Sequence, residues 1–201
     1  MEIFTLFFLL AFGVFMLKSA EQKKRVSLLG SYLGKHQLEK SMETLTAGYA
    51  RALSETNEAR QLQIWNLLHS TELALSDQFN RFATDFSRVS EEDARVSKLP
   101  VAIPFASRLF PSATFDMRKA LSLHALAIGR AVNKQSDQSP KSRAFDLSAE
   151  LYLMQHTCHW FCRSKTVASA RMLAGHKITH AQLVAAVVPD TRQAYRALIG
   201  P

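Results

Sequence analysis

The sequence predicts an all-α protein: one N-terminal transmembrane helix followed by a single irregular helical-bundle domain. Three observations carry this. Residues 3–17 form the most apolar stretch of the chain. Apolar side chains then recur at three- and four-residue spacing from residue 38 onward, the signature of helices with one buried face. No stretch alternates apolar and polar residues over a useful strand length.

A spanning helix needs about 17–25 apolar residues. The stretch Met1–Leu17 supplies the lower end of that range if Glu2 sits among headgroups. Phe4, Leu6, Phe7, Phe8, Leu9, Leu10, Phe12, Val14, Phe15, Met16 and Leu17 would face lipid. So short a run also suits a cleaved signal peptide or a buried core helix. Against cleavage, no Lys or Arg precedes the run, and the only small-residue exit, Lys18-Ser19-Ala20, puts a lysine where a small residue belongs. The span is therefore read as an uncleaved anchor. Lys18, Lys23, Lys24 and Arg25 follow it, against Glu21, and positive flanks stay on the cytoplasmic side. The expected topology is amino terminus out and body in the cytoplasm, which for a bacterium means the inner membrane. The two cysteines, Cys158 and Cys162, form no disulfide framework and suit a reducing compartment.

Residues 18–35 read as a basic juxtamembrane segment that loosens at Gly30 and Gly34, and 36–201 as one cytoplasmic helical domain. Leu38, Met42, Leu45, Tyr49 and Leu53 mark a helix over 36–53. Ile64, Trp65, Leu68, Leu75, Phe79, Phe82 and Phe86 mark a second over about 57–89, with Ser70-Thr71 as a possible break. Ser90 with Asp93 resembles a capping box opening one short helix before Pro100. Pro100, Pro104 and Pro111 make 99–112 a loop. Val101, Ile103, Phe105, Leu109 and Phe110 within it predict a loop packed across the domain. Ser112 or Thr114 then caps a helix to about Val132, with Met117, Leu121, Leu126 and Ile128 turned inward. After a polar loop over 133–140, one long helix is expected from Ser142 to Ala174, stopped by Gly175. Thr179 with Gln182 opens a short helix to Val187, and Asp190 with Gln193 opens the last one, carrying Tyr195 and Leu198.

The formal charge of +8 is unevenly placed. Residues 1–99 hold 12 basic and 12 acidic side chains, whereas 100–201 hold 13 basic and 5 acidic. Such asymmetry suggests an anionic partner surface. Arg118, Lys119, Arg130, Lys134, Lys141, Arg143, Arg163, Lys165, Arg171 and Lys177 are the candidates to meet it. With an anchor present, anionic lipid headgroups are the nearest such partner. A protein partner is another, and nucleic acid ranks behind both because no recognition module is visible.

One local cluster carries metal-capable chemistry: His156, Cys158, His159 and Cys162. On a helix, positions three or four apart share a face, and imidazole and thiolate are the ligand types zinc favours. The spacing matches none of the usual zinc or haem motifs, and no carboxylate stands within it as a base. The plain reading is a packed helix with two core thiols and no cofactor. The sharper alternative is a zinc or haem site between helices, in a helical-bundle enzyme. Phosphate-binding loops, dinucleotide fingerprints and nucleophile elbows are absent from the sequence. The expected role is thus tethering or protein interaction by a membrane-anchored helical body, with the metal or haem enzyme as the alternative.

Overall fold

The computed structural model describes residues 2–133 and 139–200. Among them the chain is mostly helical, joined by one small antiparallel ribbon. In order these are α1 (Glu2–Leu33), α2 (Leu38–Ser54), α3 (Glu58–Phe86), α4 (Glu91–Ala94), β1 (Arg95–Ser97), α5 (Ala106–Leu109), β2 (Thr114–Asp116), α6 (Met117–Asn133), α7 (Pro140–Cys162), α8 (Lys165–His176), α9 (His180–Ala186) and α10 (Pro189–Ile199).

α1 is one unbroken helix of 32 residues, about 48 Å at ~1.5 Å per residue. It does not loosen at Gly30 and ends only before Gly34. Its two halves have different surroundings. From Glu2 to Leu17 the helix stands almost wholly clear of the rest of the protein. It is long and apolar enough to cross a membrane, and none of its apolar window is buried. From Lys18 onward it joins the body. The Arg25 guanidinium lies 5.5 Å over the Phe161 ring and donates to the Phe161 carbonyl at 3.3 Å. Leu29 is buried, and Tyr32 meets Phe86 edge-on with ring centres 5.3 Å apart.

The core forms where α6 packs on both α3 and α7 and α2 pairs with α3. Leu45, Leu75, Leu121, Ile128, Leu147 and Leu153 are fully buried within it. Aromatic rings continue the core toward α1 through Phe79, Phe82, Phe86 and Phe161. Gly48 of α2 allows the closest approach to α3, since a methyl there would stand 2.2 Å from Leu68 Cδ2. Asn57 caps α3 by accepting from the Arg60 amide, and α3 runs through Ser70-Thr71 without a break.

Several expectations fail locally. Arg95–Ser97 pairs with Thr114–Asp116, with Val96 opposite Phe115, where no strand was predicted. Three residues a side are too few for alternation to be visible in sequence. The predicted helix 142–174 is two helices. Ser164 takes an extended conformation and accepts from the Val167 amide, so it caps a new helix that the sequence reading ran through. The stop is also displaced: α8 passes Gly175, and Lys177 adopts the left-handed conformation (φ 57°) that closes it. Leu126 is exposed. Five residues beyond Leu121 is about 140° around a helix, off the inward face held by Leu121, His124, Ala125 and Ile128. Most of the polar loop expected over 133–140, with Lys134, lies outside the described residues.

Candidate functional site

Two places concentrate chemistry: the interior beside α7, and the face of the body where α1 leaves it.

The four residues of the His/Cys cluster diverge. Cys158 lies two residues beyond His156, about 200° around the helix, so the two sit on opposite sides of α7. His156 is buried toward α8 and α9. Its Nε2 lies 3.1 Å from Ser169 Oγ, and its ring stacks on His180 at 4.3 Å and 22°. Cys158, His159 and Cys162 instead line a groove between α7 and the α1–α2 corner, with Leu29 and Met42 across from them. Cys158 Sγ lies 3.7 Å from Met154 Sδ, and His159 Nδ1 is 3.3 Å from Arg171 Nη1. Burial pushes the Cys162 thiol up to about 11 and Cys158 further. Both are therefore thiols at neutral pH, whereas metal binding and redox exchange need thiolates. Among the described residues no three His, Cys, Asp or Glu side chains converge as a metal site.

A polar chain that the sequence reading missed runs beside His156. Thr157 Oγ1 donates to the Leu153 carbonyl at 2.9 Å, which uses its only proton. It therefore accepts from His124 Nε2 at 3.0 Å and from the Tyr195 hydroxyl at 3.0 Å. This fixes His124 as the Nε2–H tautomer. Burial holds His124 and His156 down to about 3, and His180 to about 4. All three are neutral in the folded protein at pH 7. Glu150, also on α7, is fully buried. Burial pushes it up to about 7, and neither of its carboxyl oxygens has a hydrogen-bond partner among the described residues.

The basic candidates do not form one patch. Arg143 is inside the protein: its Nε donates to Glu72 Oε2 at 3.0 Å, and the Tyr49 hydroxyl donates to Glu72 Oε1 at 2.7 Å. It cannot meet an outside surface, and the sequence missed this because the acidic partner is 71 residues away. Arg118 is half-buried and chelates Asp116, with its Nη2 2.7 Å from Oδ2. Lys119 and Arg130 are exposed along a cleft between α6 and α10, where Arg130 lies 3.5 Å from Asp190. Lys141, Arg171 and Lys177 are exposed elsewhere. Arg163 stands beside α1, where its Nη1 donates to Gln22 Oε1 at 2.6 Å, whereas Lys165 lies 5.2 Å over the Trp160 ring.

Arg163 belongs to the second place. Around residues 17–25 of α1 the body presents Glu92, Asp93, Phe105, Ser107 and Arg108. Lys24 Nζ meets Asp93 Oδ1 at 2.5 Å, Arg25 Nη2 meets Glu21 Oε1 at 3.0 Å, and Arg108 pairs with Glu92. Glu21 Oε2 also accepts from the Phe105 amide at 2.9 Å. The helix that leaves the body is thus bonded into it over its last two turns before the exit. The eleven candidate lipid-facing residues, from Phe4 to Leu17, are all exposed. No family model, curated protein or solved structure matches this chain.

Proposed function

We propose that this chain is a single-pass membrane-anchored helical-bundle protein whose basic body sits in the cytoplasm and tethers a protein partner or an anionic surface at the membrane. One observation carries the reading. The apolar half of α1 touches almost nothing in the protein, while its polar half is part of the folded body. A buried core helix would hide the apolar half, and a cleaved leader would not continue without a break into a helix that the body needs.

Mechanistically, the continuity of α1 transmits the anchor's position to the body without a flexible linker. The flank Lys18, Lys23, Lys24 and Arg25 retains the body on the cytoplasmic side. Each Lys or Arg held near an anionic leaflet contributes about 1 kcal/mol of attraction. Arg163 and Lys177 offer exposed charge for this, whereas Arg143 is paired with Glu72 inside the protein.

The test is a full-length fusion with alkaline phosphatase after Pro201, expressed in a bacterial host. Membrane association with an inactive reporter is expected. Strong phosphatase activity would show export of the body and refute the orientation.

A further inference from the structure

The segment between β1 and β2 combines a fixed backbone with apolar side chains left outside. The ribbon clamps its two ends, with Lys98 N donating to the Ala113 carbonyl at 2.8 Å. The Pro100 carbonyl accepts from both Thr166 N (3.1 Å) and Thr166 Oγ1 (2.7 Å). Trp160 Nε1 donates to the Ser97 carbonyl at 2.9 Å. Yet Val101, Ile103, Phe105, Leu109 and Phe110 are each between 41% and 63% exposed. The sequence predicted that these side chains would pack inward. Instead, a loop held in place keeps five large apolar groups in contact with the outside. Removing such side chains from water is strongly favourable, so an apolar medium on that side would stabilise this pose.

Phe105 shows that the outward pose is imposed. It has φ 56°, a left-handed conformation that is strained for a non-glycine residue. Its amide is held there by the Glu21 carboxylate of α1. Glu21 lies four residues past Leu17, one helical turn or about 6 Å beyond the end of the apolar span. Phe105 shares a cleft with Leu17 and Ala20, while Val101 and Ile103 share one with Lys18 and Glu21. The loop therefore stands at the height where α1 would leave a bilayer. The span is also short. Ile3–Leu17 covers about 22 Å of helix against a hydrocarbon core of ~30 Å. A short span draws its flanks toward the bilayer, and here that flank carries the loop with it. Lys18, Lys24, Arg108 and Arg163 surround the same exit, Lys24 paired with Asp93 and Arg108 with Glu92.

We propose that residues 101–105 are a membrane-docking loop, which inserts Ile103 and Phe105 at the headgroup–acyl boundary of the bilayer that α1 crosses. This rests on the anchor reading above and adds a second attachment point to it. Apolar side chains in such a position lie ~5–10 Å below the surface. Two attachment points fix the tilt of the body about α1, so one face of the body stays turned from the membrane. Glu21 is a positioning residue for the loop.

The full chain is reconstituted in vesicles of phosphatidylcholine and phosphatidylglycerol, with and without bromine on the upper acyl chain. Phe105→Trp and Ile103→Trp place a reporter in the loop. Leu67→Trp is the reference: it is 72% exposed on α3, about 28 Å of helix from Phe86, where α3 meets α1. The native Trp65 and Trp160 are buried and give a constant background. Each loop tryptophan is expected to lose a clear part of its added emission in brominated lipid, because a group at that depth meets bromine on the upper acyl chain, and the reference none. Unquenched loop tryptophans in a chain that resists alkaline carbonate extraction would overturn the docking and leave the anchor standing. A second copy or a soluble partner covering the loop would give that result. Release of the chain by carbonate would overturn both.

Discussion

Replacing Arg143 by methionine tests whether the interior between α3 and α7 depends on a buried ion pair. Arg143 and Glu72 side chains are 7% and 1% exposed, and their contact is 3.0 Å. The Tyr49 hydroxyl donates to the other Glu72 oxygen, and His69 Nδ1 stands 3.2 Å from Glu72 Oε2. Burial, with Glu72 beside it, pushes the Tyr49 hydroxyl up, so Tyr49 stays a donor throughout the working pH range. Arg143→Met therefore leaves a carboxylate fully buried with its strongest counter-charge gone. Removing one partner of such a pair costs about 3–5 kcal/mol, because the remaining charge is uncompensated. For a body of this size each kcal/mol lowers Tm by roughly 2–4 °C, so a drop of about 10 °C is expected. The assay is thermal unfolding of the full chain in a mild detergent, followed by helical circular dichroism. Adding Glu72→Gln to Arg143→Met removes the stranded charge, and the double variant should recover most of the loss. A single variant melting within about 2 °C of the parent, or a double variant no better than the single, would refute the reasoning.

The remaining predictions concern pH and packing. His124 and His156 have folded values near 3, against about 6.5 when unfolded. The unfolded chain then binds more protons between these values, so stability is full above pH 6.5 and falls as the pH is lowered. Each imidazole contributes about 3 kcal/mol of that loss between pH 7 and 4, and melts at pH 7, 5.5 and 4.5 check it. Glu150 acts with the opposite sign: its folded value is raised to about 7, so its contribution is full below pH 4.5 and is lost as the pH rises through 7. Glu150→Gln should therefore raise Tm at pH 8, do little at pH 5, and steepen the acid loss; equal effects at both pH values would refute this. Gly48→Val forces a side chain into Leu68 at the α2–α3 contact and should cost about 1–3 kcal/mol, read from the same melts. An unchanged Tm would mean that the two helices separate freely there.

The sequence alone established what depends on local pattern. A fifteen-residue run whose one polar side chain is Thr5, followed by a basic flank, marks a helix fit to span a bilayer, because span length and flanking charge are read residue by residue. The 3.6-residue recurrence placed α2, α3 and α6 near their true bounds, and the Thr179–Gln182 capping box opens α9 as expected. What failed locally was either too short for a period, as with the three-residue strands, or rested on one cap, as with Ser164.

The tertiary structure decided what depends on partners distant in sequence. It separated His156 from Cys158, His159 and Cys162, since neighbours in a sequence point to different sides of a helix and only packing says what lies on each side. It took Arg143 from the list of surface charges by supplying Glu72. It also reversed the reading of the proline loop. Apolar residues in a sequence say only that water is unfavourable around them. Whether they turn inward or outward is set by what holds the backbone: here the ribbon, the bonds of Thr166 and Trp160 to the Pro100 and Ser97 carbonyls, and the Glu21 carboxylate on the Phe105 amide.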